Sequence, residues 1–295
     1  MRAKIYEGRE VYFPRRLYFL PAVRLCCSVG LNNRPYRYIV FNADDFGITN
    51  GVCSGIVEAL QSGCLTATTA MAAVPGSLDR IARWAPAIRG HVGAHLQLTS
   101  GRPVLDRKRV SSLVGANGNF PASKTNLQNA RFEDIVPEWH AQIRALESAG
   151  IEITHLDTHH HVHKYPNAFN AYLEIARYYG LVARSLNPKM TGILRACGVP
   201  CVERTLVEWH GGDLTVEGLM QIIRDGTRDL PPGSTIEVMC HPGRADQSLS
   251  GMSKYIYERE QELAVLTDLA LQSRMELEGF RPSNFPSAAA IARPA

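Results

Sequence analysis

An α/β fold of parallel strands, with its working residues at the C-terminal strand ends, is what this sequence predicts. Three observations lead there. From residue 37 onward, short apolar β-rich runs alternate with longer segments of helical period, the pattern of a parallel sheet covered by helices. The polar residues that an apolar strand has no packing reason to carry fall at or near strand ends. The first strand is followed by no GxGxxG, so a dinucleotide-binding sheet gains no support. An open sheet and a closed barrel both satisfy the pattern.

The elements follow in order. Tyr38–Phe41 is a buried-strand candidate ended by Asn42-Ala-Asp-Asp-Phe-Gly47. Thr49 or Asn50 can cap the helix that carries Ile56, Val57 and Leu60. A second strand is expected from Ala67 to Val74, and a helix from Ser77 to Ile88. The third strand, Val92–Leu98, contains Gly93 and His95. The polar stretch 101–129 is a long loop of a length that suits a cover over a site. A helix from Glu133 to Ala149 leads through Gly150 into a fourth strand, Ile151–His159. A helix from Asn167 to Tyr179 ends at Gly180 and feeds a fifth strand, Val182–Leu186. Ser234–Cys240 is a further apolar strand, and one long helix from Ser253 to Leu277, with mixed charges on its outer face, closes the fold.

Composition bounds the function classes. The chain has 295 residues, 45% hydrophobic and 20% charged, which suits a globular protein and excludes a disordered, collagen-like or coiled-coil chain. The net charge of +4 is dispersed, so no nucleic-acid partner is expected. No run of 18 apolar residues is present, so no membrane span is expected. The seven cysteines form no paired CxxC zinc pattern, and Cys197 with Cys201 is an isolated CxxxC. They read as mostly buried thiols in a reducing compartment, with the cytoplasm as default location. Residues 1–35 read as an extension outside the catalytic fold, and 36–295 as a single domain. Leu17–Leu31 is the most apolar part of that extension, but Pro21 and Arg24 interrupt it and it lacks a clear cleavage site for a signal peptide.

The polar residues at strand ends converge. Asp44 and Asp45 end strand one, His95 lies in strand three, the set Asp157–His163 ends strand four, Arg184 lies near the end of strand five, and His241 ends the last strand. In parallel α/β proteins those ends share one mouth. Each residue also has a plain structural reading. The Asp-Asp turn could only cap a helix, His95 could be a satisfied core histidine, and Arg184 a surface ion-pair partner. However, one carboxylate suffices for a cap, and two adjacent ones repel unless a cation is near. Five of the ten histidines fall between His155 and His163, and on a strand His159, His161 and His163 would share a face that His160 leaves. Gly93 permits close backbone approach, which favours a site there. His91, His140 and His210 lie in loop or helix contexts that suggest no role.

Asp with two His leaves open positions on a divalent cation, the arrangement of catalytic metals. Such an ion polarises a carbonyl and acidifies water, an unligated Asp can take the proton, and a histidine opposite can protonate a leaving nitrogen. Amide or ester hydrolysis fits this set. Adjacent carboxylates on one turn do not straddle a sugar ring as a glycosidase requires.

Four motifs in order, Asn42-Ala-Asp-Asp-Phe-Gly47, Gly-x-His-Leu-x-Leu-Thr at 93–99, His155-Leu-Asp-Thr-His-His-His-Val-His163 and Glu237-Val-Met-Cys-His-Pro-Gly243, resemble those of the YdjC-like carbohydrate deacetylases. The resemblance runs from about residue 37 to 280. It implies a distorted (β/α) barrel related to polysaccharide deacetylases, and metal-dependent removal of acetyl from an N-acetylated sugar. It makes Asp45, His95 and His159 the metal ligands, Asp44 the general base and His241 the acid or transition-state stabiliser. Arg184 and His161 become substrate-binding candidates, and a homodimer is compatible with it. The family's ion is magnesium, while an imidazole-rich shell suits zinc, manganese or cobalt at least as well. Two other classes compete: an ester or phosphoester hydrolase on the same site, and a non-catalytic carbohydrate-binding protein.

Overall fold

The computed structural model describes residues 36–122 and 124–285. The extension at 1–35 and its apolar stretch lie outside the described residues. The strands are β1 (Arg37–Phe46), β2 (Ala67–Ala70), β3 (Val92–Leu96), β4 (His155–Thr158), β5 (Val182–Ala183), β6 (Arg204–Leu206), β7 (Thr235–Cys240) and β8 (Phe280–Pro282). The helices are α1 (Asn50–Ser62), α2 (Ser77–Trp84), α3 (Phe132–Ser148), α4 (Pro166–Tyr179), α5 (Pro188–Ala196), α6 (Val216–Thr227), α7 (Tyr257–Leu266) and α8 (Leu269–Leu277).

The strands form one parallel sheet in the order β5-β4-β3-β2-β1-β7-β6, with β8 paired to the start of β1. Among the described residues β5 and β6 do not pair, so the curled sheet stays open at that seam, as a distorted barrel does. A cavity of about 450 Å³ lies there, lined by Ser185, Asn187, Thr191, Glu203 and Thr205 among others, and none of the predicted catalytic or metal residues reaches it. The central strand β1 is buried from Ile39 to Phe46. Ile39, Phe41, Ala43 and Phe46 join Trp139, Tyr172 and Trp209 in a continuous core, and burial on both faces explains why Ile39–Phe41 reads as an unbroken apolar run.

The helices start and stop for local reasons. Thr49 caps α1 by accepting from the Val52 amide at 3.2 Å. Gly180 takes the left-handed conformation that ends α4 (φ 65°). The expected C-terminal helix is two: it breaks after Leu266, and Asp268 restarts it by accepting from the Ala270 amide at 2.8 Å. Nor do all of its charges face outward, since Arg259 and Glu262 are buried.

The segment 101–129 is irregular with two short 3₁₀ turns, and it is tied to α3. Glu138 accepts from the amides of Val104 (2.9 Å) and Leu105 (3.0 Å). Two expectations are corrected here. Strand four stops at Thr158, and His159–Lys164 form a tight turn in which His160 and His161 have φ of 56° and 53°; alternation of faces therefore does not govern these histidines. Gly93 makes room for a protein ring rather than for a ligand, because a Cβ there would lie 2.6 Å from the His155 imidazole.

Candidate active site

The end of β1 supplies two carboxylates that do different work. Asp44 is buried and lies against Arg184, whose Nη1 and Nη2 donate to Oδ2 at 2.7 Å and Oδ1 at 2.6 Å. Burial alone would raise its pKa, but the bidentate guanidinium overrides this and holds Asp44 well below the usual carboxylate range. Asp45 has φ 70°, a left-handed conformation that Asp tolerates at a cost of roughly 1 kcal/mol. Arg259 Nη2 donates to its Oδ2 at 2.7 Å. Oδ1 is buried and has no hydrogen-bond partner, and it lies 3.4 Å from His95 Nε2.

His95 is held from behind. Asp157 Oδ1 sits 2.6 Å from its Nδ1, while Thr69 Oγ1 donates to Asp157 Oδ2 at 3.0 Å. A carboxylate on Nδ1 presents Nε2 forward, the arrangement that orients metal-binding imidazoles. Burial would lower the His95 pKa, yet Asp157 and Asp44 push it up to about 10. The field that holds a proton there also attracts a cation. His159 follows the same pattern, with Nδ1 3.1 Å from the Thr99 carbonyl and 3.0 Å from its hydroxyl, so that Nε2 is available. Burial pushes its pKa down to about 3, and it is neutral as a ligand must be. Its ring meets that of His95 edge to face at 5.6 Å.

Asp45 and His95 are spaced as two ligands of one divalent ion would be. Two ligand atoms about 2.1 Å from one tetrahedral ion lie roughly 3.4 Å apart, which is the separation of Asp45 Oδ1 and His95 Nε2. Among the described residues five buried carboxylates, Asp44, Asp45, Asp157, Glu237 and Glu262, lie about two buried guanidinium groups, Arg184 and Arg259. Asp44, His95 and Asp157 also place ligand atoms within 4.8 Å of one another. In that trio both Asp44 oxygens already accept from Arg184, and the His95 nitrogen nearest Asp157 is taken, whereas Asp45 Oδ1 faces His95 Nε2 without a hydrogen-bond partner.

His241 comes from the end of β7 and places Nε2 4.0 Å from Asp44 Oδ2. Its Nδ1 is buried without a partner, and burial pushes its pKa down to about 3. Glu262 Oε2 accepts from its backbone amide, and Glu262 Oε1 accepts from the Tyr255 hydroxyl at 2.6 Å. Helix α7 thus braces both sides of the site, through Arg259 on Asp45 and Glu262 on His241.

One predicted residue is placed differently from expectation. Arg184 was expected to meet substrate, but its side chain is 0% exposed and its Nη2 also lies 2.8 Å from Asp157 and 2.7 Å from Glu237, so it offers no surface to a ligand. It orders the carboxylates instead. His161 lies on the tight turn with Nδ1 buried and unpartnered, its ring 6.1 Å from that of His163, and burial pushes its pKa down to about 2. His155 is structural, bonded to Asn42 Oδ1 at 3.1 Å and stacked on Phe285. So is His163, with Nδ1 2.6 Å from Thr158 Oγ1 and its ring on Tyr172.

Sequence reasoning gave no role to Asp157, Glu237, Arg259, Glu262 or His210. Asp157 had a usable signal, being a charge inside an apolar strand beside ligand candidates. Arg259 and Glu262 had none, since charged residues on a helix are ordinarily solvated. His210 stands 4.7 Å from His241 by ring centroids, despite its loop context.

The chain has extensive similarity to known proteins. The YdjC-like protein family profile matches residues 38–276. A carbohydrate deacetylase of Geobacillus stearothermophilus is 41% identical over 245 residues, covering 82% of this chain and 94% of that protein. A chitooligosaccharide deacetylase of Salmonella schwarzengrund (strain CVM19633) is 33% identical over 256 residues, covering 84% and 98%. A crystal structure of an Enterococcus faecalis V583 protein, provisionally named for cellobiose-phosphate cleavage, superposes with a TM-score of 0.77 at 29% identity, covering 86% of this chain and 99% of that one.

Proposed function

The chain belongs to the YdjC-like family, and from that membership we propose that it is a metal-dependent hydrolase that removes acetyl from an N-acetylated sugar of the chitooligosaccharide type. The observation that carries this is the unpartnered Asp45 Oδ1 facing His95 Nε2 at 3.4 Å, beside a second carboxylate that is held apart by Arg184. Its relatives named carbohydrate deacetylase and chitooligosaccharide deacetylase support the substrate class.

Asp45, His95 and His159 would hold the ion. Bound there, a divalent cation supplies Lewis acidity, polarising the acetyl carbonyl and lowering the pKa of water near it. Magnesium follows from the family, and zinc, manganese or cobalt suit the two imidazoles. Asp157 and Thr99 hold their two histidines with Nε2 forward. Asp44 takes the proton from the attacking water. A carboxylate this acidic accepts a proton only from water already acidified, so base and ion act together. His241, 4.0 Å from Asp44, is neutral and offers its Nε2–H as a hydrogen bond to the departing nitrogen, while Asp44 returns to that nitrogen the proton it took from water. Arg184 keeps Asp44 ionised and fixed in place, and the His159–Lys164 turn, with His161, borders the substrate.

Turnover of N-acetyl sugars, O-acetyl sugars and phosphate monoesters by one metal-loaded preparation tests the reaction class. N-acetyl substrates should give the highest kcat/KM. Faster release from O-acetyl or phosphate esters assigns the site to a different hydrolase, and no turnover of any class, with sugar still bound, assigns it to a binding protein.

A further inference from the structure

We propose that His210, His241 and Glu262 form a second divalent-cation site, selective for zinc over magnesium, whose occupancy switches the enzyme off. Each residue offers a ligand atom within 4.8 Å of the other two. They come from three separate segments: the loop after β6, the end of β7 and helix α7. Two imidazoles and a carboxylate are the donors of open zinc sites, whereas magnesium prefers oxygen and water.

The individual atoms support the assignment. His241 Nδ1 is buried and has no hydrogen-bond partner. With the proton on Nε2, towards Asp44, Nδ1 keeps a lone pair free. Glu262 is buried, and each of its oxygens accepts a single hydrogen bond here, from the His241 amide and from the Tyr255 hydroxyl. A carboxylate oxygen has two acceptor positions, so each oxygen keeps one. His210 is exposed, and its ring packs 4.2 Å from that of Tyr255 and 4.7 Å from that of His241. That packing holds a His210 ring nitrogen within 4.8 Å of the other two donors.

This site is distinct from the one built on Asp45, His95 and His159, although the inhibitory consequence rests on the deacetylase reading. An ion on His241 fixes its imidazole and prevents its Nε2–H from turning to the leaving nitrogen. Zinc beyond one equivalent should therefore inhibit turnover, and magnesium should not.

The test is equilibrium dialysis of wild type and His210→Ala against zinc chloride, with bound zinc counted per chain, alongside acetate release at increasing zinc. His210 takes no part in the catalytic set, so His210→Ala should match wild type at one equivalent of zinc. Two zinc ions on wild type and one on His210→Ala are expected, with the midpoint of zinc inhibition moved upward by at least about tenfold. One ion on wild type, two ions retained by His210→Ala, or inhibition unmoved by the substitution would overturn the proposal. The zinc count needs no substrate. If no N-acetyl sugar is turned over, the deacetylase reading fails while the count still decides the site.

Discussion

Asp44→Asn is expected to lower kcat by about 10²- to 10⁴-fold, the range supplied by a positioned general base, while bound metal stays near the wild-type level. The two effects separate because the neighbouring carboxylates are divided in their attachments. Asp44 gives both oxygens to Arg184, whereas Asp45 keeps Oδ1 free towards His95. An amide at position 44 keeps a carbonyl oxygen for Arg184 and occupies nearly the same volume, so the local frame is preserved. Metal analysis and kcat measured on the same preparation check this. An Asp44→Asn protein with wild-type kcat would remove Asp44 as the base, and one stripped of metal would make it a ligand.

Arg184→Met is expected to reduce folding stability by about 3–5 kcal/mol near neutral pH, because breaking a buried ion pair leaves uncompensated charge. Three buried carboxylates lose a partner together: Asp44, Asp157 and Glu237. The loss should depend on pH. In wild type the folded pKa of Asp44 lies below its unfolded value, so the stability it contributes is present above that unfolded value, about 3.8, and fades as pH falls through the lowered one. Without the guanidinium, burial raises the folded carboxylate pKa values above the unfolded ones. The deficit of Arg184→Met then grows as pH rises past about 4 and shrinks in acid. Urea unfolding at pH 4.5 and pH 7 measures it. Equal stability of mutant and wild type at pH 7 would contradict the network.

Strands β1, β3 and β7 were legible because they are buried on both faces and read as apolar runs, with their polar ends marking the mouth. The stretch from Pro188 to Thr227 was not. β6 has three residues, too few to show a period, and α5 is a short helix begun by Pro188. α6 did carry a signal: Thr215 caps it by accepting from the Gly218 amide, and Leu219, Met220 and Ile223 are buried along one face. Candidate site residues were legible where a motif concentrates them, as in Asp44 with Asp45. Their supports were not, because Asp157 meets Asn42 across 115 positions and Arg259 meets Asp45 across 214. A buried charge on a helix looks like a solvated one until its partner is known, and the histidine turn defeated strand periodicity because His160 and His161 adopt left-handed backbone that no local residue type demands.

The central claim is that one ion on Asp45, His95 and His159 drives removal of acetyl with Asp44 as base. Acetate release from N,N'-diacetylchitobiose tests it most directly, measured on protein stripped of metal and then given one equivalent of magnesium, manganese, cobalt or zinc, with bound metal counted on the same samples. The expected result is no acetate from stripped protein, recovery with at least one of these ions in proportion to the ion bound, and neither binding nor recovery in His95→Ala or His159→Ala. Acetate release that survives stripping, or that returns in His95→Ala with no ion bound, would contradict it.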